Sequence, residues 1–157
     1  MTGMIESRLS QLGITLPEAV TPVANYVPFT IAGDLVFLSG QLPLEAGALR
    51  HKGALGLNVS VEDGYRAARI CALNLVAQMK LAAGGDLDRI ARIVRIGGFV
   101  AATPDFTDHP KVVNGASDFL VELFGDSGRH ARTAVGVPSL PLGATVEVEA
   151  VVRLGPA

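Results

Sequence analysis

Arg132 is the residue of this chain best suited to hold an anion. It stands in Arg132-Thr133-Ala134-Val135, directly after the turn-like stretch Gly125 to Gly128 and the neighbouring Arg129 and His130. Its planar guanidinium can grip a carboxylate through two parallel N–H···O bonds. On local pattern alone, an arginine at a strand edge is more often a solvated surface residue. Glu147 falls on the polar face of the next strand and would approach Arg132 if the two strands paired as a hairpin. A carboxylate there could orient or deprotonate a water, or donate a proton to a leaving amine. A structural ion pair fits the same pattern, and Glu149 shares the face, so the sequence does not separate the two acids.

The remaining polar candidates are weaker. His51, His109 and His130 sit in separate expected loops without ligand spacing, and Cys71 is the only cysteine, so no metal site is expected. Cys71 has no His or Lys near it in sequence and reads as a packed small hydrophobe. Ser39 precedes Gly40-Gln41 at a strand end but lacks the G-x-S-x-G elbow of a nucleophile, and reads as a hydrogen-bonding residue in a site or turn. Gly53 to Gly56 and Gly84-Gly85 lack the strand-glycine-helix spacing of phosphate loops.

The elements that must position these groups follow from periodicity. Met4 to Leu12 reads as a short amphipathic helix, followed by a loop with Pro17 and Pro22 leading to Tyr26. Val27 to Ile31 and Leu35 to Ser39 read as strands joined by Gly33-Asp34, residue types suited to a tight hairpin turn. Ser60 reads as the N-cap of a long helix with Glu62 and Asp63 in its first turn. Val61, Tyr65, Ala68, Ala72, Leu75 and Met79 form its apolar stripe, and Gly84-Gly85 ends it. Ile90 to Ala101 is β-branched and reads as a strand, with Gly97-Gly98 marking a bulge or a close approach of another backbone. Pro110 to Phe124 reads as a second helix with Val113, Ala116 or Ser117, Leu120 and Phe124 inward. Arg132 to Val137 and Thr145 to Arg153 complete the strands. In the last of these, Val146, Val148, Ala150 and Val152 point one way and Glu147, Glu149 and Arg153 the other, towards solvent or a neighbouring subunit.

The expected fold is therefore α+β, a mixed sheet with two main helices packed on one face. One domain is expected over residues 1–157, with a helix and lead-in over 1–25 and a core over 26–154. Apolar residues make up 49% of the chain and charged residues 18%, an excess that a buried subunit interface would absorb. No apolar run approaches the roughly 20 residues of a membrane span, and the first twelve residues do not have a signal-peptide pattern. A cytoplasmic protein with no membrane partner is expected. The net charge of −2, without a basic stripe or interleaved aromatics, argues against a nucleic-acid partner.

Two segments carry a family resemblance: Leu38-Ser39-Gly40-Gln41-Leu42-Pro43, and Arg132-Thr133-Ala134-Val135-Gly136-Val137 followed by Leu140-Pro141-Leu142-Gly143-Ala144-Thr145-Val146-Glu147-Val148-Glu149. They resemble the two signatures of the RidA (YjgF) family, also labelled L-PSP endoribonucleases, and the likeness runs from about Tyr26 to Leu154. The resemblance implies the fold of the small trimeric chorismate mutases, with three sites in clefts between subunits. It implies hydrolysis of reactive 2-imino acids and their enamine tautomers to 2-keto acids and ammonia, with no cofactor. By the same resemblance Arg132 binds the substrate carboxylate and Glu147 handles the attacking water. Tyr26, Ser39, Gly40 and Asn114 line the cleft, and Ala134 offers a backbone group to the ligand.

The chain departs from the family pattern in places that bear on substrate choice. Ala134 stands where many relatives carry cysteine, Ser117 where an aromatic is common, and Tyr26-Val27-Pro28-Phe29 and Glu45 to Gly56 are unusual. Retention of Arg132 argues for activity. The competing readings are a trimer that binds keto acids or related carboxylates without turnover, a ribonuclease, and a chorismate-mutase-like enzyme.

Overall fold

The computed structural model describes residues 2–20 and 23–156; Pro22, in the expected lead-in loop, lies outside the described residues. The helices are α1 (Met4–Gln11), α2 (Val61–Ala82) and α3 (His109–Phe124). The strands are β1 (Phe29–Ala32), β2 (Leu35–Gln41), a miniature hairpin β3 (Leu44–Glu45) and β4 (Ala48–Leu49), β5 (Ile90–Ala101), β6 (Ala131–Val137) and β7 (Val146–Leu154).

Local chemistry sets most boundaries. The Ser60 hydroxyl accepts the Asp63 N–H at 3.1 Å, the expected cap of α2, worth about 1 kcal/mol. Along the predicted stripe Ala68, Ala72, Leu75 and Met79 are fully buried, whereas Val61 and Tyr65 at the open end are half-buried. α3 starts one residue before Pro110 and buries Val113, Ala116, Leu120 and Phe124, leaving Ser117 at the margin of the core. β1 starts at Phe29, later than expected, because Pro28 has no N–H to give to a ladder. Its turn is the expected one, with Ala32 opposite Leu35 and Gly33 at φ +65°.

A five-stranded sheet runs in the order β1-β2-β7-β5-β6. β5 and β6 are parallel and the other pairs antiparallel. α2 and α3 cover one face, where Val146, Val148, Ala150 and Val152 of β7 meet Ile93, Ile96 and Val100 of β5 in the core. Burying each such side chain contributes roughly 1.5–3 kcal/mol. The two helices touch through Gly115, where a Cβ would overlap the Tyr65 carbonyl oxygen. α1 docks beside them through Ile5 and Leu9, its first N–H groups from Met4 and Ile5 donating to the Asp88 carboxylate at 2.7 and 2.8 Å.

Among the described residues no helix lies over the other face of the sheet. Phe37, opposite Val151, is 45% exposed there, and Val135, opposite Phe99, is 39% exposed. Gly97 and Gly98 differ from expectation. The ladder irregularities of β5 lie earlier, between Ile90 and Arg95, and the two glycines admit side chains instead: Gly97 that of Glu149 on the open face, Gly98 that of Val113 on the helix face. No helix among the described residues is long and apolar enough to cross a membrane.

Candidate functional site

β6 is an edge strand whose register decides where Arg132 points. Arg132 lies opposite Ile96, and Ile96 faces the helices, so the guanidinium lies on the helix side, against α3. Pro110, Asn114 and Ser117 follow at spacings of four and three and share the α3 face turned to it. One Arg132 nitrogen donates to Ser117 Oγ at 3.1 Å and another to the Pro110 carbonyl at 3.3 Å. Guanidinium offers five N–H groups, so enough stay free for a carboxylate.

Ala134, two residues on, shares that face opposite Gly98. Its backbone is equally placed. The Val137 carbonyl accepts from Ala102, beyond the end of β5, so the peptide groups of alternate residues Val135 and Thr133 also face inward. Those of Ala134 and Arg132 then face the free edge, where a ligand can reach them.

His130 completes this half. Its Nε2 lies 2.8 Å from Ser117 Oγ and its Nδ1 2.6 Å from the Gly128 carbonyl. Burial, and secondarily the Arg132 charge, push its pKa below 6.5, with the Gly128 bond opposing. Neither Ser117 nor His130 signals this pairing in the sequence, since thirteen residues and a helix-to-strand turn separate them; only the register of β6 on α3 brings them together.

Glu147 lies elsewhere. β7 does not pair with β6, because β5 sits between them, and Glu147 opposite Phe99 occupies the open face of the sheet. The expected hairpin approach to Arg132 is thereby corrected. The chain passes from β6 over the end of β5 and inserts β7 between β5 and β2, leaving β6 at the edge. Arg132 and Glu147 of one chain are on opposite faces.

Around Glu147 the second half assembles. The β2–β7 register slips between Leu38 and Gln41, and in the slip Gly40 lies against the Glu147 carboxylate so closely that a Cβ would overlap it. The Ser39 hydroxyl donates to the Val27 carbonyl at 2.7 Å and its N–H to that of Pro28 at 2.8 Å. These bonds tie the segment carrying Tyr26, itself 60% exposed, to the same end of β2. Burial first, and the Glu149 carboxylate second, raise the Glu147 pKa above its ordinary value of 4.5. Glu149 is engaged with Arg95 at 3.6 Å, which separates the two acids the sequence left equivalent.

The predicted residues thus form two clusters: Arg132, Asn114 and Ala134 at the β6 edge, and Glu147, Ser39, Gly40 and Tyr26 beside the β2–β7 seam. Cys71 is fully buried, its Sγ 3.6 Å from the Val146 carbonyl and its pKa well raised by burial, as a packed hydrophobe should be. Among the described residues no group of three or more His, Cys, Asp or Glu could hold a metal.

Fold and clusters define a small α+β protein with an arginine beside a free sheet edge and a half-buried acid on the opposite face of the sheet. Comparison with known proteins gives the family: residues 6–154 match the model described as YjgF/chorismate mutase-like, a description that also carries an endoribonuclease label, and the chain belongs to that family. It is 47% identical over 154 residues to "Protein TCP17" of Trypanosoma cruzi, covering 98% of this chain and 96% of that one. It is 28% identical over 140 residues to a "2-iminobutanoate/2-iminopropanoate deaminase" of Dermatophagoides farinae, covering 88% and 93%. Among solved structures, Atu1372 of Agrobacterium tumefaciens superposes with a TM-score of 0.90 at 49% identity, covering 96% of this chain and 92% of that one.

Proposed function

We propose that this chain is a cytoplasmic imine deaminase that works as a homotrimer, hydrolysing small 2-imino acids and their enamine tautomers to 2-keto acids and ammonia without a cofactor. The observation that carries the reading is the split of the two clusters over opposite faces of the sheet. Each cluster is half of a site, and a second copy laid against the open face and the β6 edge supplies the other half. The exposed Phe37 and Val135 give that contact its apolar area.

In the assembled cleft Arg132 takes the substrate carboxylate through paired N–H groups, Asn114 lines the wall, and the Ala134 peptide adds a backbone partner. Glu147 of the adjoining copy faces the imine carbon, with Ser39, Gly40 and Tyr26 around it. Burial and the Glu149 carboxylate raise the pKa of Glu147, which eases the return of a proton it has taken up. As a carboxylate it takes a proton from the attacking water, whose oxygen bonds to the imine carbon. That proton then goes to the nitrogen to give a carbinolamine, and Glu147 passes the hydroxyl proton to the same nitrogen, so that ammonia leaves as the C–N bond breaks and the keto C=O forms. Holding a carboxylate-bearing electrophile beside an oriented water supplies the acceleration. The family and the deaminase of Dermatophagoides farinae support this chemistry.

The test couples an amino-acid oxidase or threonine dehydratase to the purified protein and follows loss of semicarbazide-trapped imine. Faster loss with wild type that vanishes in Arg132→Ala is the expected result. Equal rates for both across several short imines, with keto-acid binding intact, would replace the enzyme by a carboxylate-binding trimer.

A further inference from the structure

Ser117 and His130 belong to no role assigned so far, yet they are the polar groups packed directly on the Arg132 side. Their hydrogens can be placed by elimination. The Gly128 carbonyl 2.6 Å from His130 Nδ1 can only accept, so Nδ1 carries a hydrogen. In the neutral ring Nε2 then holds a bare lone pair, and the Ser117 hydroxyl 2.8 Å away must donate to it. That commits the only hydrogen of the hydroxyl. What Ser117 Oγ turns towards Arg132 at 3.1 Å is a lone pair, and the guanidinium is held between it and the Pro110 carbonyl.

We propose that Ser117 and His130 are positioning residues for Arg132: the Nδ1–H tautomer of His130 orients the Ser117 hydroxyl so that its oxygen anchors the guanidinium in its carboxylate-binding pose. The inference rests on the reading of Arg132 as a carboxylate anchor. The neighbouring charges leave the pair undisturbed. From β6, Arg132 is the one charge facing His130. On α3, Asp118 accepts the Tyr65 hydroxyl at 2.7 Å and Glu122 pairs with Arg69 at 3.1 Å. In the turn before β6, Arg129 and Asp126 pair with each other at 3.5 Å, both well exposed. Arg95 of β5 donates to Thr133 on the other face.

Carboxylate binding should also be felt by the histidine. A bound anion neutralises the Arg132 charge that disfavours imidazolium, so ligand should raise the His130 pKa and binding should take up protons over the range where the ring titrates.

The experiment measures 2-oxobutanoate affinity by calorimetry, and the His130 ring by long-range ¹⁵N spectra, in wild type, Ser117→Ala, Ser117→Thr and His130→Phe. Expected are an Nδ1–H tautomer, a His130 pKa that rises on saturation, and affinity about tenfold weaker in Ser117→Ala and His130→Phe, as for loss of one charge-assisted hydrogen bond. Ser117→Thr, which keeps the hydroxyl, should stay within about twofold. An Nε2–H tautomer, or Ser117→Ala binding as wild type does, would overturn the proposal, and the tautomer is read in wild type whether or not a variant folds. Loss of deamination with this pattern intact would count against the enzyme reading alone. If wild type binds no 2-oxobutanoate, the anchor reading falls, and rotation of the Arg132 guanidinium in ligand-free wild type and Ser117→Ala decides: faster rotation in the variant upholds the positioning pair, equal rotation overturns it.

Discussion

Gly40→Ala isolates the geometry of Glu147 from the stability of the fold. A Cβ at residue 40 would overlap Glu147 Oε1 and stand 2.9 Å from Cδ and 3.1 Å from Cγ, against an ordinary contact of 3.4 Å or more. The obstructing atoms are the end of a flexible side chain on the uncovered face, so the carboxylate gives way and the backbone does not. Restoring ordinary contact moves it by about an ångström, and a misplacement of that size costs on the order of a hundredfold in rate. Folding should lose little, about 1 kcal/mol or less, as for a change outside the packed core. The assay is imine loss at saturating and limiting substrate together with a thermal melt. The expected outcome is kcat down about a hundredfold, with KM and Tm nearly unchanged. A variant with wild-type kcat would refute the assignment of Glu147 as the group that meets the water, because the substitution cannot leave that carboxylate where it is.

Glu147→Gln should lower kcat by about 10²–10⁴ with little change in KM, and remove the acidic limb of the pH–rate profile, which in wild type should lie above 4.5 because burial and Glu149 raise the pKa. Arg132→Lys keeps the charge and loses the paired N–H fork, so KM should rise about tenfold or more in initial-rate measurements. Gly115→Ala drives a methyl against the Tyr65 backbone carbonyl, which cannot rotate away; denaturant unfolding should show a loss of roughly 1–3 kcal/mol. His130 has a folded pKa below 6.5, so the unfolded chain binds more protons just below that pH. Its contribution is therefore complete above pH 6.5 and declines as pH falls towards the folded pKa, and His130→Phe should flatten that part of the stability curve measured by urea unfolding.

Elements marked by local chemistry were legible in the sequence. The Ser60 cap, the Gly84-Gly85 stop, the Gly33-Asp34 turn and the β-branched run of β5 each rest on residues close in the chain, and the alternation of β7 gave the correct buried face. The separation of Arg132 from Glu147 was not legible. Two successive strands suggest a hairpin, and only the parallel pairing of β6 with β5 shows that β7 lies beyond it. Ser117 and His130 were hidden for the same reason, since their contact is a product of register. Resemblance marks Gly40 as a cleft residue, whereas its physical reason, the room it leaves for Glu147, depends on a slip in the β2–β7 ladder that no local pattern announces.

If a working site takes Arg132 from one chain and Glu147 from another, two variants inactive for different reasons should restore each other in mixed trimers. Arg132→Ala and Glu147→Gln are each inactive on this account but damage different halves. Co-assembled at equal amounts into cyclic trimers, every mixed trimer contains one intact site. With random assortment about three quarters of trimers are mixed, so about a quarter of wild-type deaminase activity should return. A mixture that co-assembles, shown by isolating trimers carrying two different affinity tags, yet stays at the activity of its parents would contradict the shared site.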